Sequence, residues 1–191
     1  MNYARLQIRS LIIVVPLIFC TCHGNKNDFS VKYKYTGIAV ENAQNMGDFP
    51  YPTTQDSIAE VAYAIRVNLF TEIIAKGSAH ADYDHPIENL NRLDSINVKS
   101  NADFGLGFPI GSSLNENFIC FNGSYFTSSS LDVLSLPSTS NKDYTENSVP
   151  NKFDLLLMSP PSLPSTHKFT IQLFLMDGTI LIDSTTQIKL Y

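Results

Sequence analysis

His80-Ala-Asp82-Tyr-Asp84-His85 packs imidazoles and carboxylates more closely than any other stretch of this chain. In extended backbone, residues 80, 82 and 84 project to the same side, so one imidazole and two carboxylates converge, with His85 beside them. That donor set suits zinc or manganese. Gly77 before the cluster and Pro86 after it mark a turn-rich, solvated loop, where Asp and His are ordinary residues. His23 and His167 lie far away in sequence. The stretch is therefore expected to be a polar loop, with a metal site on His80, Asp82, Asp84 and His85 as the alternative.

Nucleophilic chemistry has less support. Gly111-Ser112-Ser113 lacks the second glycine of a Gly-x-Ser-x-Gly elbow. No phosphate-binding glycine loop, paired-cysteine motif or dinucleotide fingerprint occurs. Asn122-Gly-Ser124 matches a glycosylation acceptor only by chance spacing, and Cys120, between Ile119 and Phe121, is expected to be a small core residue. No catalytic residue is assigned, and no cofactor is expected other than a covalent lipid anchor.

That lipid is read from the first residues. Arg5 and Arg9 form a short positive region, and Leu11 to Phe19 is a run of nine apolar residues ending at Cys20-Thr-Cys22. Nine residues are too few for a spanning helix, which needs about 20, but they suit the apolar core of an export signal. The segment resembles a bacterial lipoprotein signal, in which a cysteine becomes the acylated mature N-terminus. The resemblance implies attachment at Cys22, which follows the small Thr21, with Cys20, which follows the bulky Phe19, as the alternative. Several acyl chains anchor stably where one does not. Residues 1–21 are then signal, 22–28 a polar tether and 29–191 a single domain. Similar lipoproteins that reach the cell surface carry acidic residues soon after the cysteine, and Lys26-Asn-Asp28 supplies one. The expected location is the cell envelope, as an outer-membrane lipoprotein facing either the periplasm or the surface.

The formal net charge is −5, and it becomes −7 once Arg5 and Arg9 leave with the signal. An acidic surface with scattered lysines excludes nucleic acid and anionic headgroups as partners, because both need basic patches. Twelve Phe and nine Tyr without Trp favour core and loop packing over a glycan platform. The expected partners are the membrane, through acylation, and another envelope protein or a surface component.

The rest of the chain reads as strands. Residues 29, 31, 33 and 35 are apolar or aromatic and alternate with Ser30, Lys32 and Lys34, the period of a half-buried strand. Gly37 to Val40 extends it or begins another. Val61, Tyr63, Ile65, Val67 and Leu69 repeat the pattern, Ser95 to Lys99 is a short strand, and Phe153 to Met158 is a segment buried on both faces. Ser112 to Glu116 suits a capped helical turn. Residues 42–57, 76–93, 101–116 and 122–151 read as loops, with Leu131 to Leu134 a helical turn in the last.

At the C-terminus, Asp177-Gly178 between two alternating apolar runs signals a hairpin. A two-residue turn pairs Leu175 with Ile180 and Leu173 with Ile182, turning Ile180, Ile182, Ile188 and Leu190 inward. Asp183 and Thr185 then face outward, and Phe174 and Leu181 pair on the outer face, where residues 122–151 or a neighbouring strand are expected to cover them, with a small docking patch as the alternative.

These elements predict an all-β, antiparallel immunoglobulin-like β-sandwich with long loops and at most short helical turns. The terminal run from Phe169 to Leu190 resembles the last two strands of immunoglobulin-like domains. With the signal, Ile110-Gly-Ser-Ser-Leu114 before Phe118, and Pro160, Pro161 and Pro164, the chain resembles uncharacterised small lipoproteins of the Bacteroidota, a family without an assigned activity. The resemblance implies a lipid-anchored, non-catalytic binding or interaction domain. The alternatives are a metal-dependent or hydrolytic enzyme using the His80–His85 loop, and a structural spacer.

Overall fold

A computed structural model describes residues 31–75, 87–121, 126–127 and 152–191. Thirteen strands are present among them: β1 (Val31–Gln44), β2 (Tyr51–Pro52), β3 (Ser57–Ile58), β4 (Tyr63–Ala75), β5 (Ile87–Asn89), β6 (Leu93–Ser100), β7 (Phe118–Phe121), β8 (Phe126–Thr127), β9 (Lys152–Leu157), β10 (Ser165–His167), β11 (Phe169–Leu175), β12 (Ile180–Ser184) and β13 (Ile188–Leu190). The helical content of the described residues is two 3-10 turns, Glu60–Ala62 and Asn115–Asn117. The fold is all-β and sandwich-like, as the alternation predicts.

One layer is a seven-stranded sheet in the order β2-β1-β4-β9-β7-β8, with β5 also on β1. Facing it are two three-stranded sheets, β12-β11-β6 and β10-β13-β3. The main core lies between. Tyr33, Ile65, Val67, Phe118, Phe153 and Leu155 from the large sheet meet Val98, Phe169, Ile171, Leu173, Ile188 and Leu190 from the small ones. Each such side chain contributes about 1.5–3 kcal/mol when fully buried.

Local sequence explains the long strands. β1 is one strand rather than two, and its register against β4 shifts between Tyr35 and Gly37, a bulge that absorbs Thr36. A side chain at position 37 would come within 3.2 Å of the Phe70 ring, so glycine fits there. β4 begins at Tyr63 because Val61 belongs to a 3-10 turn and is 80% exposed. β9 is covered on both faces. Phe153, Leu155 and Leu157 point into the main core, while Leu156 joins Ala43, Ala64 and Phe121 in a second apolar cluster on the outer side of the large sheet.

Sheet edges are closed by asparagines. The Asn91 amide accepts from Tyr35 N–H at 2.7 Å and donates to Tyr35 C=O at 2.9 Å. Asn115 does the same for β6, accepting from Val98 N–H at 2.9 Å and donating to Ile96 C=O at 2.8 Å. Each amide stands where a neighbouring strand's peptide would be, which satisfies groups that an open edge leaves unpaired. The Asn115 turn starts after Leu114 and has no side-chain cap, so the serine cap expected from Ser112 is not formed.

The terminal hairpin differs from the expected one. Leu173 pairs with Leu181 and Phe174 with Ile180. Gly178 takes φ +84° and donates to Leu175 C=O, while Leu175 N–H donates to Thr179 C=O. The loop is thus three residues long, Met176 to Gly178, with glycine in the left-handed position, rather than a two-residue turn. One extra loop residue reverses the facing of β12. Leu181 is buried, Ile180 and Ile182 are 50% and 57% exposed, and Asp183 points inward with its Oδ2 accepting from Val40 N–H at 2.8 Å. Thr185 is buried as well, its Oγ1 accepting from Phe169 N–H. The chain leaves the sheet at Thr185–Gln187, so Ile188 and Leu190 face inward as expected but from a different sheet.

Candidate functional site

The sequence-derived site residues fall in two groups. Cys20, Cys22, His80, Asp82, Asp84 and His85 lie outside the described residues, as does Leu131 to Leu134. Phe174 and Leu181 are described, and they do not form a shared patch. The three-residue loop sends Leu181 into the core beneath Leu173, leaving Phe174 half-buried beside Ile180. Among the described residues, no group of three or more His, Cys, Asp or Glu side chains is placed to hold a metal, and no helix is long and apolar enough to cross a membrane.

Among the described residues, a cleft of about 260 Å³ opens on the outer face of the large sheet. Phe49, Pro50, Arg66, Phe121, Lys152, Phe153 and Asp154 line it. Its floor follows from the strand register: Arg66 on β4 pairs with Asp154 on β9, and Asp154 pairs with Phe121 on β7. Its wall is the segment after β1. Asn45 N–H bonds Ala62 C=O, the chain folds back across the sheet, and Pro50 C=O accepts from Arg66 Nη2 at 2.6 Å.

Arg66 and Asp154 form a bidentate pair, Nε to Oδ1 at 2.8 Å and Nη2 to Oδ2 at 3.0 Å. Their side chains are 12% and 7% exposed. The carboxylate beside it, first through its hydrogen bond, holds the guanidinium above its ordinary pKa and permanently charged. Phe49 stacks on Phe121 with ring centroids 6.1 Å apart and planes 27° apart. Phe121 is buried, whereas Phe49 is 61% exposed. Lys152 is exposed at the rim and has no ion-pair partner among the described residues. The cleft therefore combines an apolar ring surface, a fixed ion pair and an exposed lysine at its rim.

A second polar centre surrounds His167, which is fully buried between the rings of Phe104 and Phe169. Ala102 N–H donates to Ser100 Oγ, and Ser100 Oγ lies 2.8 Å from His167 Nδ1. Ser165 Oγ lies 2.6 Å from Nε2 and donates to Leu163 C=O. The donor count assigns the tautomer. Ser165 spends its proton on Leu163, so Nε2 carries the imidazole hydrogen and Nδ1 accepts from Ser100. The chain closes on backbone at both ends, with hydroxyls on both ring nitrogens and no carboxylate. Burial lowers the imidazole pKa. This histidine ties β10 to β6.

Sequence reasoning missed the cleft and the histidine centre. The signals were Asp154 inside the otherwise apolar run Phe153 to Leu157, and Arg66 inside Val61 to Leu69. A lone charge in a buried strand requires a partner across the sheet, and each supplies the other. Comparison of the chain with protein-family models, with curated proteins and with solved structures finds no match.

Proposed function

We propose that this chain is a lipid-anchored, non-catalytic cell-envelope module that binds a partner through the Phe49–Arg66–Phe121–Asp154 cleft. The observation that carries the binding role is an exposed aromatic ring stacked over a buried one beside a desolvated ion pair. Exposed rings beside fixed polar groups are the usual anchors of recognition surfaces. The lipoprotein-like N-terminus supplies the anchoring half of the reading and holds the domain at a membrane.

Each half has its own test. Cells fed an alkyne-tagged fatty acid should label the wild-type chain and Cys20→Ser but not Cys22→Ser. An unlabelled wild type removes the anchor. A photo-reactive phenylalanine at position 49, activated in intact envelopes, should give a discrete cross-linked product that the same group at position 61 does not. Equal yields at both positions, or no product at 49, remove the binding role.

A further inference from the structure

We propose that two neighbouring apolar loops, residues 104–111 after β6 and residues 158–164 after β9, insert their side chains into the surface of a lipid bilayer. This contact is separate from the cleft and from the covalent anchor, and its failure would leave both of those readings standing.

Phe104-Gly-Leu-Gly-Phe-Pro-Ile-Gly111 and Met158-Ser-Pro-Pro-Ser-Leu-Pro164 contain no charged residue, in a chain that is 16% charged. They lie side by side. Ser162 N–H donates to Phe104 C=O at 3.4 Å, and a side chain at position 105 would come within 3.2 Å of Ser162 Oγ. Gly105 and Gly107, at φ +144° and +93°, turn the chain on either side of Leu106. Leu106 is 99% exposed at the apex, and Leu163, Ile110 and Met158 are 73%, 64% and 58% exposed. Most of the backbone there does without water. Phe104 N–H bonds Phe108 C=O, Phe108 N–H bonds Gly105 C=O, and Gly111 N–H bonds Ser100 C=O. Ile110 N–H bonds Asp103 Oδ1, and Met158 and Ser159 N–H both bond Asn117 C=O. Pro109, Pro160, Pro161 and Pro164 have no N–H to satisfy. A lipid phase requires such accounting, because it offers a bare N–H no partner. Composition favours lipid over protein: the anchors of protein interfaces are rich in Trp, Tyr and Arg and poor in Leu, and these loops carry none of the first three. Charge favours a neutral surface. Within five residues of either loop the charged groups are Lys99, Asp103, Glu116, Lys168 and Asp154; the last is paired with Arg66, and the other four sum to zero. An anionic headgroup gains nothing there, so the aliphatic side chains supply the affinity. The second loop leaves the end of the large sheet remote from Val31, since Leu156 lies opposite Ala64 and Ala64 opposite Ala43. A domain tethered by its N-terminus meets the same bilayer with these loops by lying along it.

The test adds excess phosphatidylcholine vesicles to the full-length chain carrying an environment-sensitive fluorescent amino acid at position 106, at 163 or, for comparison, at 182, an exposed site on β12. At 106 and 163 the emission should shift to the blue and be quenched by brominated acyl chains. At 182 it should do neither. Replacing a third of the lipid with phosphatidylglycerol should not strengthen the shift. With the probe at 106, Leu163→Ala should raise the lipid concentration for half-maximal shift about tenfold, near the low end for one buried leucine. Leu163 is exposed, so its circular dichroism spectrum should match that of the unsubstituted chain. An unshifted probe at 106, or equal shifts at 106 and 182, overturns the proposal. A shift that needs phosphatidylglycerol overturns its apolar basis. A shift at 106 in native envelopes but not in vesicles overturns it in favour of a protein partner.

Discussion

Arg66 and Asp154 lie directly opposite each other on β4 and β9 and share two hydrogen bonds, at 2.8 and 3.0 Å. They occupy the outer face of the large sheet, where Ala43, Ala64, Leu156 and Phe121 are apolar. The pair is what keeps that face from being a plain second core. It also holds the chain after β1 in place, because Arg66 reaches Pro50 C=O.

Removing one partner leaves the other charged and desolvated. Asp154→Ala or Arg66→Ala should each lower unfolding free energy by about 3–5 kcal/mol. The double variant Arg66→Met, Asp154→Leu should recover most of that loss, because replacing a buried pair with apolar groups is often neutral. Urea denaturation of the three variants measures it. Additive losses in the double variant would show that the pair is not acting as a unit.

His167 makes stability depend on pH. Its buried neutral imidazole has a lowered pKa, whereas the unfolded side chain titrates near its ordinary value of about 6.5. Between the two values the unfolded state binds more protons, so stability rises with pH there. The contribution is complete above about pH 6.5 and is lost as pH falls through the folded-state value. Urea midpoints should therefore decline on acidification below that pH in the wild type. In His167→Gln this part of the decline should be absent, although the variant starts from a lower midpoint. Parallel pH profiles for the two proteins would contradict the assignment.

Asn91 and Asn115 offer a comparison of one device in two settings. Both amides replace a strand peptide, but Asn91 is 5% exposed and both its bonds are buried, whereas those of Asn115 are partly buried. Truncation to alanine strands a backbone donor and acceptor, at about 1–3 kcal/mol. Asn91→Ala should cost more than Asn115→Ala. Thermal melts give the order. Hydrogen exchange should locate faster amides at Tyr35 and Val98 respectively.

How far the sequence reveals this architecture depends on how local the determining physics is. The inward sets of β1, β4 and β11 follow from period-two alternation alone, and Tyr33, Ile65, Val67, Ile171 and Leu173 are buried as that pattern requires. β9 is legible as a doubly buried run because both of its faces are apolar. The short strands β2, β3, β5 and β10 carry no period, since two or three residues cannot show one, and they exist only through their neighbours. β7 was hidden because Phe118 to Phe121 is apolar at every position. The cleft is a product of cross-strand register, and register between strands distant in sequence is a tertiary property.

The hairpin register is the sharpest point at which structure and pattern part. Asp177-Gly178 fits a two-residue turn by composition, but Gly178 alone takes the left-handed conformation, at φ +84°, and Asp177 Oδ1 accepts from Thr179 N–H at 2.9 Å. That closes a three-residue loop and turns Leu181, not Ile182, toward Leu173. Leu181→Ala should therefore cost about 2–5 kcal/mol, as a core truncation does. Ile182→Thr should fall within about 0.5 kcal/mol of wild type, as at other exposed positions. Gly178→Ala should cost about 1–2 kcal/mol, because a side chain there must adopt the left-handed region. Equilibrium unfolding of the three variants discriminates between the registers: a large loss at position 182 with a small one at 181 would restore the two-residue turn and put Leu181 back beside Phe174 on the outer face.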